Sequence, residues 1–373
     1  MIETNFKHTE IGLIPHDWEV KTLGEVYSFR YGLGNTNPHD GGIYPIYGAN
    51  GIIGSYSKYN AEDSVVIGHM GEYAGSVLWG GGKHFVTYNG TITRPKDENQ
   101  LHSKYGFYAL LRLNINRICA GSGYPFLAYD KLNSLKILLP QSIAEQERIA
   151  DALSKIDSLI VGLDELLEKK RAIKTGTMQQ LLTGKKRLKG FTGKWEEETV
   201  LGGIIDVYKG QQVNNSQLVE DTAMYPMLNG GSSISGYYTK YNAPANSITI
   251  SEGGNSCGFI NYMKVAFWAG GHCYIVRPII DIDRDFLYYI LKKRESDIMK
   301  LRVGSGLPNI QRKSLLKEIS LSLPPTIEEQ QAIASILSSM DTEIASLEQK
   351  RDKYIAIKQG MMQQLLTGKI RLV

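Results

Sequence analysis

The most regular alternation of apolar and polar positions lies in two stretches of the chain. Over residues 141–185 apolar side chains recur at Ile149, Leu153, Ile156, Ile160, Leu163 and Leu167; over 325–373 they recur at Ile333, Leu337, Met340, Ile344 and Leu347. Steps of four and three alternate, which is a heptad seam. It predicts two helices of about 40 residues, each roughly 60 Å long at 1.5 Å per residue. Ser142 with Glu145, and Thr326 with Glu329, stand three apart just after proline, the capping-box signature of a helix start. Gly184 and Gly368, each followed by lysine, read as stops. A long amphipathic helix lying on its own domain gives a similar stripe. This one runs on too long for a single domain face, and two such helices in one chain most simply pair as a coiled coil.

The remaining chain has a different rhythm. Short β-branched and aromatic runs (64–68, 76–79 and 85–93; 247–251, 258–260 and 273–277) are separated by Gly, Asn and Asp turns. Each group is followed by one helical stretch, 102–118 and 284–299. Strands followed by a helix, without βαβ alternation, predict an α+β domain.

Both halves of this plan occur twice. Residues 140–188 align with 324–372 at a constant offset of 184, and more than half of the 49 positions are identical, including all of 178–185 against 362–369. The preceding segments match more loosely. Leu23-Gly24 with Gly32 corresponds to Leu201-Gly202 with Gly210, Lys58-Tyr59-Asn60 to Lys240-Tyr241-Asn242, and Gly121-Ser122-Gly123-x-Pro125 to Gly304-Ser305-Gly306-x-Pro308, with the offset drifting from 178 to 183. Small insertions between equivalent elements produce such drift. A period near 180 residues marks a duplicated domain rather than a solenoid. The expected organisation is a variable domain over 1–140, a helix over 141–185, a second variable domain over 186–324 and a second helix over 325–373.

Composition narrows the function classes. The 373 residues carry 42 Lys plus Arg against 38 Asp plus Glu, and net charge by segment is 0 over 1–137, +3 over 138–189, +1 over 190–321 and 0 over 322–373. Neither variable domain is a basic lump, so DNA affinity from counterion release alone is weak. Any DNA reading then rests on local patches, base contacts and partners. Three cysteines without zinc spacing fit a reducing, cytoplasmic setting, and no apolar run reaches the ~18 residues of a membrane span. Walker A, HExxH, GxSxG and strand-borne GxGxxG motifs are missing, as is an Asn-Pro-Pro-Tyr box. Six of the seven histidines precede residue 103, so a catalytic His is not repeated in both halves. No intrinsic enzyme and no cofactor are expected.

Taken together, several motifs resemble the specificity (S) subunit of bacterial type I restriction–modification systems over essentially the whole chain. These are the Trp-Glu starts followed by Leu-Gly (Trp18-Glu19, Leu23-Gly24; Trp195-Glu196, Leu201-Gly202), the Gly-Ser-Gly-x-Pro turns, and the Leu-Pro-x-x-Ile-x-Glu-Gln entry into a helix that ends Met-Gln-Gln-Leu-Leu-Thr-Gly-Lys. The resemblance implies two target recognition domains, each reading half of a split, asymmetric double-stranded DNA sequence. It implies two helices in an antiparallel coiled coil with a pseudo-twofold axis. It also implies two modification subunits that methylate adenine using S-adenosylmethionine, and restriction subunits that can join them. The S subunit itself catalyses nothing. A tandem-domain scaffold for protein or glycan ligands, or a fragment of an enzyme without its catalytic domains, remains the alternative from the residues alone.

Candidate contacts follow from residue chemistry. In the two glycine turns (Gly121, Ser122, Gly123, Tyr124; Gly304, Ser305, Gly306) glycine lets backbone approach phosphate and serine can donate to it, while a plain tight turn is the other reading. Arg302 and Arg312 flank the second turn. Tyr56, Lys58 and Tyr59, with Tyr238, Lys240 and Tyr241, suit a backbone-contacting surface or a half-buried edge strand. His69, Lys83, His84 and Asn89, with Ser251, Asn255 and His272, are candidate base-edge readers in glycine-rich loops, since Asn pairs naturally with adenine and Lys with guanine. The basic runs Lys169-Lys170-Arg171-Lys174 and Lys185-Lys186-Arg187 are solvated faces or contacts to DNA or an acidic partner. Gly176 and Gly360 inside the helices cost ~1 kcal/mol each against Ala and are read as allowing close approach, or as kinks. Together with Met178, Gln179, Leu182, Met362, Gln363 and Leu366 they form the candidate partner-binding surface.

Overall fold

The structure is a computed structural model that describes residues 5–34, 38–121, 123–304 and 306–373. Two continuous helices, Ile143–Leu181 and Ile327–Leu365, are each 39 residues long. Both stops are as expected: Gly184 and Gly368 take φ of +66° and +70°, the left-handed region where glycine carries no Cβ penalty. Lys186 N–H and Ile370 N–H reach back to the carbonyls of Gln180 and Gln364, closing the last turn.

The capping boxes form only by half. Glu145 N–H meets Ser142 Oγ at 3.4 Å and Glu329 N–H meets Thr326 Oγ1 at 3.3 Å. The glutamate side chains are used elsewhere. Glu145 is fully buried, accepts from Trp18 Nε1 (3.2 Å), and is clamped by Arg371 at 2.6 and 2.8 Å. Glu329, 1% exposed, receives two 2.6 Å bonds from Arg187. The neighbouring glutamines cap the domain helices: Gln146 Oε1 accepts from His102 N–H (2.8 Å) and Gln330 Oε1 from Asp283 N–H (2.9 Å). The repeated Glu-Gln pair is therefore a buried polar joint between long helix and variable domain.

The chain divides into two compact units, Met1–Asp164 with Gln349–Val373, and Glu165–Glu348. In the first, six strands form a mixed sheet in the order Tyr27–Tyr31, Gly90–Pro95, Ala61–Gly68, Val77–Val86, Tyr44–Gly48, Gly51–Tyr56, antiparallel except for the Tyr44–Gly48/Val77–Val86 pair. The helix Ser103–Arg112 covers this sheet, and Asn114 at φ +50° ends the predicted 102–118 helix early. Strand Lys136–Pro140 pairs with Trp18–Thr22 and leads into the long helix. The core joins Trp18, Tyr27, Tyr105 and Leu153 to Leu365 and Leu366 from the end of the second long helix.

The second unit repeats the plan. Strands Ile205–Lys209, Cys273–Pro278, Ser247–Ser251 and Ile260–Met263 form one sheet, and Gly236–Tyr238, Tyr225–Leu228 and Trp268–Ala269 a smaller one. Helices Arg284–Lys293 and Glu295–Lys300 replace the single predicted 284–299 helix. Its core includes Phe286, Leu287 and Leu337 with Leu181 and Leu182 from the end of the first long helix.

Within each unit the two long helices run antiparallel. In the first, Asp157 pairs with Lys358 (2.6 Å) and Asp164 with Arg351 (3.6 Å). In the second, Lys170 pairs with Glu343 (2.6 Å), Arg171 with Glu348 (2.6 Å) and Lys174 with Asp341. Partner numbers fall on one helix as they rise on the other. Lys170, Arg171 and Lys174 thus face the opposing helix's carboxylates and Arg187 lies on Glu329, while Lys169 is exposed. Those four cations are therefore engaged within the chain rather than free. Around Gly176 and Gly360 an added Cβ meets nothing within 4 Å. The helices meet through side chains, and neither glycine mediates close approach within this chain.

Candidate nucleic-acid interface

In the first unit the glycine turn at residue 121 folds onto the loop after strand Ala61–Gly68. Ala120 and Phe126 exchange backbone hydrogen bonds (2.9 and 2.8 Å), Gly71 N–H donates to the Pro125 carbonyl (2.8 Å), and Leu127 N–H to the His69 carbonyl (2.9 Å). The second unit repeats every one of these: Val303 with Asn309, Gly254 with Pro308, and Ile310 with Glu252. Gly121 and Gly304 take φ of +99° and +100°, so glycine is needed there for the turn itself. The tip residues Tyr124 and Leu307 are 60% and 84% exposed. Gly123 and Gly306 are exposed beside them; Ser122 and Ser305 lie outside the described residues.

Beneath the second turn opens a cleft. In the second unit Lys209, Asn229, Glu252, His272, Leu307 and Asn309 line a volume of about 370 Å³. Lys209 Nζ lies 2.6 Å from Glu252 Oε1, and His272 Nδ1 lies 3.3 Å from Glu252 Oε2. The hydrogen bond with Glu252 raises the Lys209 pKa above its ordinary value. In the first unit Tyr31 stacks on Tyr129 with ring centroids 4.3 Å apart, and His69 lies 4.3 Å from Tyr31. His69 N–H donates to the Asn89 carbonyl at 2.7 Å. Burial lowers the His69 pKa, which keeps its imidazole neutral near pH 7.

The predicted residues separate on these facts. His272 lines the second unit's cleft, His69 and Asn89 are half-buried at the equivalent place in the first unit, and Asn255 is exposed on the loop between Gly254 and Cys257. His84 is buried at 0% exposure, with Nε2 3.0 Å from Ser64 Oγ and Nδ1 2.8 Å from the Gly82 carbonyl. Ser251 is 1% exposed and bonds the Gly230 and Gly253 carbonyls. Both lie in continuous buried runs at the ends of their strands, so neither is a surface reader. Replacing His84 with Ala is expected to lower unfolding free energy by about 2–3 kcal/mol in denaturant titration, because Ser64 and Gly82 lose their partner inside the core.

Arg302 donates to the Cys257 carbonyl (2.8 Å), while Arg312 bonds Asp206 and the Val207 carbonyl (3.1 Å). Both arginines brace loops. Lys83 sits 4.8 Å above the Tyr59 ring, and Tyr56 and Tyr238 pack edge-on against Phe85 and Trp268. Lys58, Lys240 and Tyr241 are exposed. What recurs beside them for structural reasons is Asn60 and Asn242, each joined by two hydrogen bonds to a strand backbone. Leu182 and Leu366 are 2% exposed core residues, which removes them from any partner surface. Met178 and Met362 are half-buried against the same cores, and only Gln179 and Gln363 of these side chains stand exposed.

Comparison with known proteins decides the family. The family model described as the type I restriction modification DNA specificity domain matches residues 15–173 and again 193–355. The chain belongs to this family. Over 99% of its length it is 28% identical to a putative type I restriction enzyme MjaX specificity subunit of Methanocaldococcus jannaschii, covering 97% of that protein. It is 30% identical over 171 residues to the EcoprrI specificity subunit of Escherichia coli, about 43% of this chain and 40% of that one. The crystal structure of a type I restriction–modification S subunit from M. genitalium superposes with a TM-score of 0.76 at 19% identity, over 98% of this chain and 97% of the other, which shows a shared fold. The specificity-domain fold thus occurs twice here, once in each unit. No helix among the described residues is long and apolar enough to cross a membrane.

Proposed function

We propose that the chain is the DNA-reading and scaffolding subunit of a type I restriction–modification complex acting in the cytoplasm. Residues 1–140 and 186–324 are the readers, each taking one half of a bipartite, asymmetric target. Residues 141–185 and 325–373 are spacer helices that set the distance between half-sites. The observation that carries this reading is the turn-and-loop frame present in both repeats, built on the same backbone hydrogen bonds but carrying different side chains. Equal frames with unequal side chains suit two unlike half-sites. An antiparallel pairing of two helices that are repeats of one another matches the dyad symmetry of duplex DNA.

Two modification subunits dock, one per repeat of the helix motif, with restriction subunits able to join. The exposed Gln179 and Gln363 and the open flanks of Gly176 and Gly360 are the proposed contact surface. The chain contributes recognition and assembly while its partners perform the methylation. The test exchanges residues 190–321 for the equivalent domain of another family member and sequences methylated adenines in the host. One half-site is expected to change while the other keeps its sequence, and the mass of the complex should give two modification subunits per chain. A change in both half-sites, or a single modification subunit at saturation, rejects the reading.

A further inference from the structure

The register of the two sheets aligns four positions between the repeats. Tyr31 pairs with Thr91 across its strand as Lys209 pairs with Tyr274. His69 N–H donates to the Asn89 carbonyl as Glu252 N–H donates to that of His272. Tyr129 and Arg312 are each the first residue of the short helix after the glycine turn. The sets Tyr31, His69, Asn89, Tyr129 and Lys209, Glu252, His272, Arg312 are therefore structurally equivalent. Their chemistry is opposite: the first holds no formal charge, while the second holds the Lys209–Glu252 ion pair with His272 against the same carboxylate, and Arg312 tied to Asp206.

The two sets also differ in how far they are satisfied. In the first set His69 Nδ1 and Tyr129 Oη, with the neighbouring Asn89 Oδ1 and Thr91 Oγ1, are buried without a hydrogen-bond partner among the described residues. Buried polar groups in this state call for an explanation, and four of them gathered at one place suit an entering polar partner. In the second cleft the Lys209 and His272 side chains are 53% and 61% exposed while both lean on Glu252. A cation and an anion side by side at the mouth of a cleft match the major-groove edge of one particular base pair. Guanine offers O6 and N7 as acceptors and its cytosine offers the N4 amino donor. A neutral amide beside a neutral imidazole matches adenine, whose N7 accepts and whose N6 donates.

Resting on the specificity-subunit reading, we infer that these four positions are the base-pair-discriminating site of each repeat. The first repeat takes an A·T pair through Asn89 and His69. The second takes a G·C pair through Lys209 and Glu252. Sequence choice then changes by substitution at four positions while the hydrogen-bonded frame of turn and loop stays fixed.

The experiment uses the full chain assembled with its modification subunits and a duplex library randomised within both half-sites. Glu252→Gln, nearly isosteric, is expected to relax selection about ten-fold or more at one G·C position of a single half-site. Asn89→Ala is expected to relax one A·T position of the other half-site to a similar extent, and Lys209→Gln should repeat the Glu252→Gln pattern. Folding of each variant is read from its thermal transition and its assembly with the modification subunits. Unchanged selection, relaxation at a position of the wrong base-pair type, or a loss of methylation uniform across all sequences overturns the inference. If the unmodified chain selects no bipartite sequence, the specificity-subunit reading itself has failed. If it does select one, and exchange of residues 190–321 alters one half-site while the point variants alter none, only this inference has failed.

Discussion

Seven residues inserted between Asp164 and Glu165, with seven more between Lys350 and Arg351, are expected to lengthen the unread spacer of the proposed target by about three base pairs and to leave both half-sites unaltered. The insertion points follow from the ion pairs. Asp157–Lys358 and Asp164–Arg351 lie wholly on one side of them, and Lys170–Glu343, Lys174–Asp341 and Arg171–Glu348 wholly on the other. A heptad keeps the apolar seam on its face to within about 20° and adds roughly 10.5 Å, close to three steps of duplex at 3.4 Å. Three steps also turn the duplex by roughly three-tenths of a revolution. Twist in protein and DNA must absorb that rotation, so modification becomes slower while the preferred spacer shifts. Inserting seven residues into one helix alone slides one set of ion pairs past its partners and should prevent assembly. Methylome sequencing reads the spacer directly, and an unaltered spacer in the doubly lengthened chain would refute the ruler.

Arg371→Ala is expected to cost the first unit about 3–5 kcal/mol, the penalty for leaving a buried charge without its partner. Glu145 is fully buried and Arg371 supplies two of its hydrogen bonds; the third, from Trp18, is neutral and longer. The same guanidinium donates to Asp17 at 2.6 and 2.8 Å and holds that carboxyl below its ordinary pKa. One substitution thus unties the end of the second long helix from the start of the first domain. For a unit of this size the melting temperature should fall by about 10 °C. Adding Glu145→Gln to Arg371→Ala removes the stranded charge and should restore part of the loss. Calorimetry of the single and double variants decides it: a double variant no more stable than the single one points to lost packing rather than a stranded carboxylate.

The long helices were readable because their signals are local. The heptad steps, the proline-led starts and Gly184 and Gly368 each act within a few residues, and duplication states every signal twice. The glycine turns were readable for the same reason. Arg187 and Arg371 carried a signal that was passed over, since both stand three residues after the helix-stopping glycine at the repeat offset of 184. The two equivalent sets were legible only in part. His69, Asn89 and His272 were found from their chemistry, but Tyr31 and Tyr129 in the first repeat, and Lys209 and Glu252 in the second, join them from segments far apart in sequence, across an offset that drifts. His84 and Ser251 were misplaced because a polar residue in a short strand gives no local sign of facing inward. The capping glutamates were misjudged for a related reason: Trp18 and Arg371, which claim Glu145, are 127 and 226 residues away from it.

The closing segments of both long helices fill sockets in the domain cores, and the first domain's socket is filled by the last residues of the chain. Leu365, Leu366 and the Arg371 clamp all join a core whose other members begin near Ile14. During translation the first domain therefore leaves the ribosome long before its final core residues are made. Until then it carries an apolar hollow and an unmatched carboxylate at Glu145, features that favour chaperone binding or misassociation in a nascent chain. Completing the first domain is a late event that waits for residues 365–371, and products stopped short of residue 349 are expected to remain adhesive intermediates.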